Sequence, residues 1–226
     1  KTTKFAKDKL IFDFGVNFII QNNKNLVSQG VYNNPIVGLY LFPRGENFDE
    51  VRSFERWNDA RGIQMQYWPY GTGAHTIQNP YWIQNRMNRE MAKRRYMVNA
   101  SLHWNVTDWL NIVGRVRMDE STTKQNNKYA ASTSTTLAGL NGGYRVEDGT
   151  DRTVYADVMA NVDKSWDNFR LVANVGTSLN DQFFNSIYMG GDLIVPNHFA
   201  ANNLDLASNF KRNEKGWHDQ VQSIFA

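Results

Sequence analysis

Apolar and polar residues alternate strictly along five stretches of this chain, each over about eleven positions. Between Tyr96 and Val106, the residues Tyr96, Val98, Ala100, Leu102, Trp104 and Val106 share one parity, and Met97, Asn99, Ser101, His103 and Asn105 share the other. From Trp109 to Asp119, the residues Leu110, Ile112, Gly114, Val116 and Met118 oppose Asn111, Val113, Arg115, Arg117 and Asp119. A period of two places these sets on opposite faces of a strand, so the chain predicts a sheet with one apolar and one polar face. Strands are expected at about 9–21, 96–106, 109–119, 153–163 and 169–180, with a weaker sixth at about 217–226.

The connections alternate as regularly as the strands. Thr107-Asp108 joins the second and third strands, and 164–168 joins the fourth and fifth. By contrast about 75 residues separate strands one and two, about 32 separate three and four, and about 36 separate five and six. In an up-and-down sheet all short turns then lie at one edge and all long loops at the other.

Two architectures satisfy this pattern. In a soluble β-sandwich the apolar faces would meet across a dry core. In a transmembrane β-barrel they would face lipid, with short periplasmic turns and long extracellular loops. Strand length favours the barrel, because soluble strands average about 5–6 residues. Ten residues at about 3.3 Å each, tilted by about 40°, rise roughly 25 Å, the height of an outer-membrane apolar band. The apolar parities carry no charge, and Trp104, Trp109, Trp166 and Phe169 crowd the short-turn edge as an interfacial aromatic girdle would. The fold class expected is therefore all-β: part of a large antiparallel up-and-down transmembrane barrel of about six strands, forming one domain over 1–226. Six strands cannot close such a barrel, since the smallest have about eight. The chain therefore reads as an internal section of a larger one.

Composition agrees and removes alternatives. A net charge of +3 in 226 residues, with Lys93-Arg94-Arg95 as the longest basic run, is no nucleic-acid footprint. That triplet reads as a solvated loop end. Cysteine is absent, and no apolar run is long enough for a transmembrane helix. The histidines His75, His103, His198 and His218 are scattered, and no nucleophile or phosphate-loop motif is present, so neither an enzyme nor a cofactor or metal is expected. The acidic run Glu147-Asp148-Gly149-Thr150-Asp151 lacks the further ligands of a calcium loop and reads as a solvated turn.

Within the first long loop stand Gly38-Leu39-Tyr40-Leu41-Phe42-Pro43-Arg44-Gly45, Gln66-Tyr67-Trp68-Pro69-Tyr70 and Gln78-Asn79-Pro80-Tyr81-Trp82-Ile83; a basic stretch and the turn Val106-Thr107-Asp108-Trp109-Leu110 follow. As an ordered set these segments resemble the middle of the SusC/RagA family of TonB-linked outer-membrane proteins of Bacteroidetes. The resemblance covers nearly the whole chain from Lys9 onward, without the family's plug domain, TonB box or terminal strand. It implies a parent that imports glycans or oligopeptides across the cell outer membrane, non-catalytically. A SusD-like surface lipoprotein would act as lid, and TonB would move a plug inside the barrel. The alternatives are a soluble extracellular carbohydrate-binding sandwich and a barrel without transport.

Two sets of residues are candidates for the site. Tyr40, Phe42, Trp57, Trp68, Tyr70, Tyr81 and Trp82 fall within one aromatic-rich loop and could contact solute or lid, since a ring offers a broad apolar platform beside polar groups. Packing of these rings within the loop or against the lid is the preferred reading. Arg115, Arg117, Asp119, Asp157, Asp163 and Arg170 belong to the polar parity and would face the lumen, there to meet the plug or, less favoured, to line the solute path. The facing assignment makes an asymmetric prediction. Arg introduced at Val158 or Ala173 would cost about 2–4 kcal/mol at a bilayer midplane. It should abolish the heat-modifiable folded band of the full-length protein, whereas Asn161→Arg and Asn174→Arg should keep it; equal tolerance at both pairs would refute the assignment.

Overall fold

The computed structural model describes residues 2–6, 9–27, 29–68 and 77–226. The main-sheet strands are the short β1 (Thr2–Phe5) and the long β2 (Leu10–Lys24), β5 (Met87–Asn105), β6 (Leu110–Tyr129), β7 (Gly143–Trp166), β8 (Phe169–Asp192) and β9 (Lys211–Phe225). They form one seven-stranded sheet in the order β1-β2-β5-β6-β7-β8-β9, antiparallel at every pairing. A separate hairpin of β3 (Glu55–Asn58) and β4 (Ile63–Gln66) lies in the first long connection with α1 (Pro35–Tyr40) and α2 (Pro80–Arg86). The sheet is open, with β1 and β9 at its edges.

The register carries the alternation coherently across the sheet. Phe14 pairs with Ala100, Ala100 with Val116, Val116 with Ala156 and Ala156 with Leu179. On the other face, Asp13, Ser101, Arg115, Asp157 and Ser178 form the neighbouring row. Among the described residues no protein layer covers the apolar face. Phe14, Leu102 and Val158, which a sandwich would bury, are 43%, 42% and 52% exposed. At the short-turn edge of this face, Trp166 packs on Phe169 with ring centroids 5.7 Å apart. Lys164 stands over the rings of Trp109 and Trp166 at 4.6 and 5.3 Å. An amphipathic lysine between indoles suits a boundary where apolar and aqueous media meet.

Three expectations need correction, for one physical reason. The strands run well past the alternating stretches: the expected strand at 96–106 begins at Met87, and that at 153–163 begins at Gly143. Lys93-Arg94-Arg95 is consequently mid-strand, not a loop end, and Glu147–Asp151 is not a turn but part of β7. Their alternating directions separate the carboxylates: Asp148 is paired with Lys124, and Glu147 accepts from the Ser186 hydroxyl at 3.1 Å. In these distal halves both faces are polar, as in Glu120–Lys128 of β6, so no period of two marks them. β1 is likewise a strand that four residues were too few to announce; its register with β2 sets Phe5 beside Leu10 and Thr3 beside Phe12.

The extra strand length shortens the β2–β5, β6–β7 and β8–β9 connections to 25–86, 130–142 and 193–210, all at one end, while 106–109 and 167–168 turn at the other. The packed core sits at the loop end, not between layers. Trp82, Ile83, Met87, Tyr129, Ala130 and Ala138 form it, with Phe54 and Leu137 against them. The 130–142 connection enters β7 through Gly142 at φ +96°, where a Cβ would lie 2.4 Å from the Tyr129 carbonyl. Only glycine fits there. Gly142→Ala should lower the thermal midpoint of the full-length protein by several degrees, and Gly114→Ala, which meets open space, should leave it unchanged or raised; a Gly142→Ala protein as stable as the parent would refute the packing.

Candidate functional site: a polar trough beneath a knitted loop crown

The loop end is organised by a short polar segment ahead of α2. Asn79 caps that helix by accepting from the Tyr81 amide at 2.9 Å, with Pro80 at the first helical position. Its side chain is fully buried and also donates to the carbonyls of Val51 (2.8 Å) and Tyr67 (3.1 Å). Gln78, equally buried, donates to the Tyr32 carbonyl at 2.8 Å and accepts from the Ser134 amide at 2.8 Å. The Trp82 indole N–H donates to Thr133 Oγ1 at 3.0 Å. Two neighbouring side chains thus tie four parts of the first loop to the second. The third loop joins through Asn197, which accepts from the Ala131 amide at 2.7 Å. Arg86 closes bidentately on Glu55 at 2.6 and 2.8 Å, and this hydrogen bond raises the guanidinium pKa further above its ordinary value.

The aromatic candidates separate on this frame. Trp82 is wholly buried and is the centre of the loop core, so it reaches neither solute nor lid; the large indole is what the crown packs around. Tyr81 is half-buried and stacks on Phe54, and Phe42 is half-buried and edge-on to Phe48 at 5.3 Å. Trp68 is half-buried too. Tyr40 and Trp57 are open, at 86% and 58% exposure, with the Trp57 N–H held by Asp59 at 2.9 Å. Tyr70 lies outside the described residues.

Beneath the crown, the polar face of the sheet forms a trough of about 860 Å³ whose lining includes Asn99, Arg115, Arg117, Asp119, Tyr155 and Asp157. Four of the six charged candidates therefore come together. Their charges are mostly matched across strands: Arg115 Nε donates to both oxygens of Asp157 at 3.0 and 3.1 Å, and Arg95 closes on Asp119. Asp163 and Arg170 form a third pair nearer the short turns, outside the trough. Arg95 was not among the candidates, although its parity matches that of Met97 and Asn99.

A second feature was missed altogether. Asn105, Asn111, Asn161 and Asn174 occupy one register row across β5–β8. Asn111 donates to Asn105 at 2.8 Å, and Asn161 donates to Asn111 at 3.2 Å. They line a second hollow of about 630 Å³ at the short-turn end. Each asparagine is visible in the sequence, but the row exists only once the β6–β7 register is known.

No protein-family model matches the chain, and no curated protein matches it. Among solved structures the chain is similar to a chain of the RagAB peptide transporter, at 14% identity and a TM-score of 0.67, over 99% of this chain and 24% of that one. It is similar also to a chain of the RagAB peptide importer in its open-open state, at 12% identity and a TM-score of 0.65, with the same coverage. The likeness is one of fold: a large antiparallel up-and-down sheet laid out as in transporter chains. The chain spans about a quarter of the length of the solved chains it matches.

The crown yields a test of its own. Asn79→Ala leaves two buried carbonyls without their donor and α2 without its cap, a loss of about 1–3 kcal/mol per orphaned group. Limited proteolysis of the full-length protein should then cut within 25–86 at least tenfold faster, with the strands still resistant; an unchanged rate would show that Asn79 does not hold the loop.

Proposed function

We propose that the chain forms part of the wall of a nutrient importer in the bacterial outer membrane. The parent takes up oligopeptides, is driven through TonB, and works with a SusD-like lipoprotein over the long-loop end. It carries out no covalent chemistry.

One observation carries the reading. The apolar face is bare, uncharged through its central rows, and bounded at the short-turn edge by Trp104, Trp166 and Phe169. Lipid tails supply the cover that no protein layer does, and the inner strands β5, β6 and β7 are paired on both sides within the band, as a medium without water requires. The opposite face is wet and charged, which suits a lumen. On this reading the long-loop end with its knitted crown is extracellular, and a lid lipoprotein would meet Tyr40 and Trp57 there. The neighbours' names favour a peptide over a glycan as solute. A soluble carbohydrate-binding sandwich would need a second layer on Phe14, Leu102 and Val158.

The test is growth of a strain deleted for the gene, on defined oligopeptides and glycans supplied one at a time as sole nutrient. Growth should fail on at least one peptide mixture and return with the full-length gene. Failure on a glycan alone would replace the solute class. Undiminished growth on every nutrient would favour a barrel without transport.

A further inference from the structure

The trough contains an unmatched cation. Of the arginines on the polar face at the level of the trough and below it, Arg95, Arg115 and Arg170 each close on a carboxylate. Arg117 closes on none among the described residues and is exposed. Its strand neighbours are no help. Arg115 and Asp119 lie two residues away on β6, about 6–7 Å along the strand, and Asp119 is already held by Arg95 at both oxygens. Asp157 is likewise taken by Arg115.

The surroundings of Arg117 are shaped for a ligand, not for a further internal pair. Its register partners are Asn99 on β5 and Tyr155 on β7, with Asn180 next on β8. Asn99 leans away from it, over β2: a Cβ at Gly15 would lie 2.6 Å from Asn99 Oδ1, so the amide fits there only because position 15 is glycine. The notch at Gly15 thereby clears the β5 side of Arg117. The result is a guanidinium fork opening into the trough, with the Tyr155 phenol, which can donate or accept, beside it on β7.

We propose that Arg117 is a binding site for one carboxylate group. A planar monoanion matches one guanidinium bidentately. A phosphate would bring a second negative charge between Asp119 and Asp157, so the carboxylate is the better fit. The group comes either from a peptide solute, which rests on the function proposed above, or from another part of the full-length polypeptide reaching into the trough.

The experiment uses the full-length protein in its own cells and purified in detergent, with Arg117→Gln, Arg117→Met and Arg117→Lys. The probes are tetra-alanine with a free and with an amidated C-terminus. If the carboxylate is the solute's, Arg117→Gln and Arg117→Met lower uptake of the free-acid peptide about tenfold or more, spare the amidated one, and Arg117→Lys restores part of the difference. If the carboxylate is the protein's own, the peptide ratio stays constant. Arg117→Gln and Arg117→Met then lower the unfolding temperature and sensitise cells to vancomycin, and Arg117→Lys does neither. No change in either readout, or equal damage by all three substitutions, overturns the site. A parent protein that imports neither peptide sinks the peptide-importer reading alone; the unfolding and vancomycin readouts then decide the carboxylate.

Discussion

An apolar sheet face left in water carries a cost of about 25 cal/mol for each Å² that could have been buried. The face built from Phe12, Phe14, Val16, Leu102, Val116, Val158 and Val175 is broad, contiguous and bare. What covers it is therefore the constraint on which the rest depends. A lipid cover requires that every N–H and C=O in the band be paired within the sheet. It also requires strands long enough to cross and uncharged outward positions. The up-and-down topology pairs β5, β6 and β7 on both sides with local connections alone, since each lies between its neighbours in sequence order in the sheet.

The sequence was legible where two media differ and silent where they do not. Along Tyr96–Val106 or Thr153–Asp163, one face meets an apolar surrounding and the other a polar one, so residue type reports direction. Along Glu120–Lys128 both directions are polar, and a strand of unchanged geometry leaves no trace in residue type. The period thus measured the thickness of the apolar belt, not the length of the strand. β9 is weak in the sequence for a related reason: its own residues from Lys211 to Gln220 are polar on both faces apart from Trp217, and only its last residues reach the level of Thr177 and Leu179.

The candidate site was legible in part for a related reason. The parity of Arg115, Arg117, Asp119 and Asp157 follows from their strands, and the turn at Thr107-Asp108 fixes Asn99 opposite Arg117. The β6–β7 register is set across a longer loop, so neither the Arg115–Asp157 pair nor the asparagine row could be derived. Among the aromatics the difficulty was of another kind. Tyr81 and Trp82 belong to an aromatic loop whose rings are expected first to pack within it or against a lid and only second to touch solute, and residue type alone does not say which ring does which. Burial turns the segment 78–82 inward, where Asn79 and Gln78 satisfy backbone groups of distant loop segments and Trp82 fills the space between them.

That inward packing changes what the loop end can do. A connection as long as 25–86 would be costly to order if it closed only on itself. Here its order is shared with the strand ends. Arg89 donates to the Leu26 carbonyl, Asn25 is bonded to the Arg89 backbone, Arg61 reaches Leu140 and Asn141, and the Gln66 amide donates to Ser132. Each tie runs from the loop to β5 or to the neighbouring connection, so the crown inherits the rigidity of the sheet. Tyr40 and Trp57 stand open at this loop end. On the importer reading proposed above, recognition there would depend on complementarity to a preformed surface, with little ordering cost left to the moment of binding.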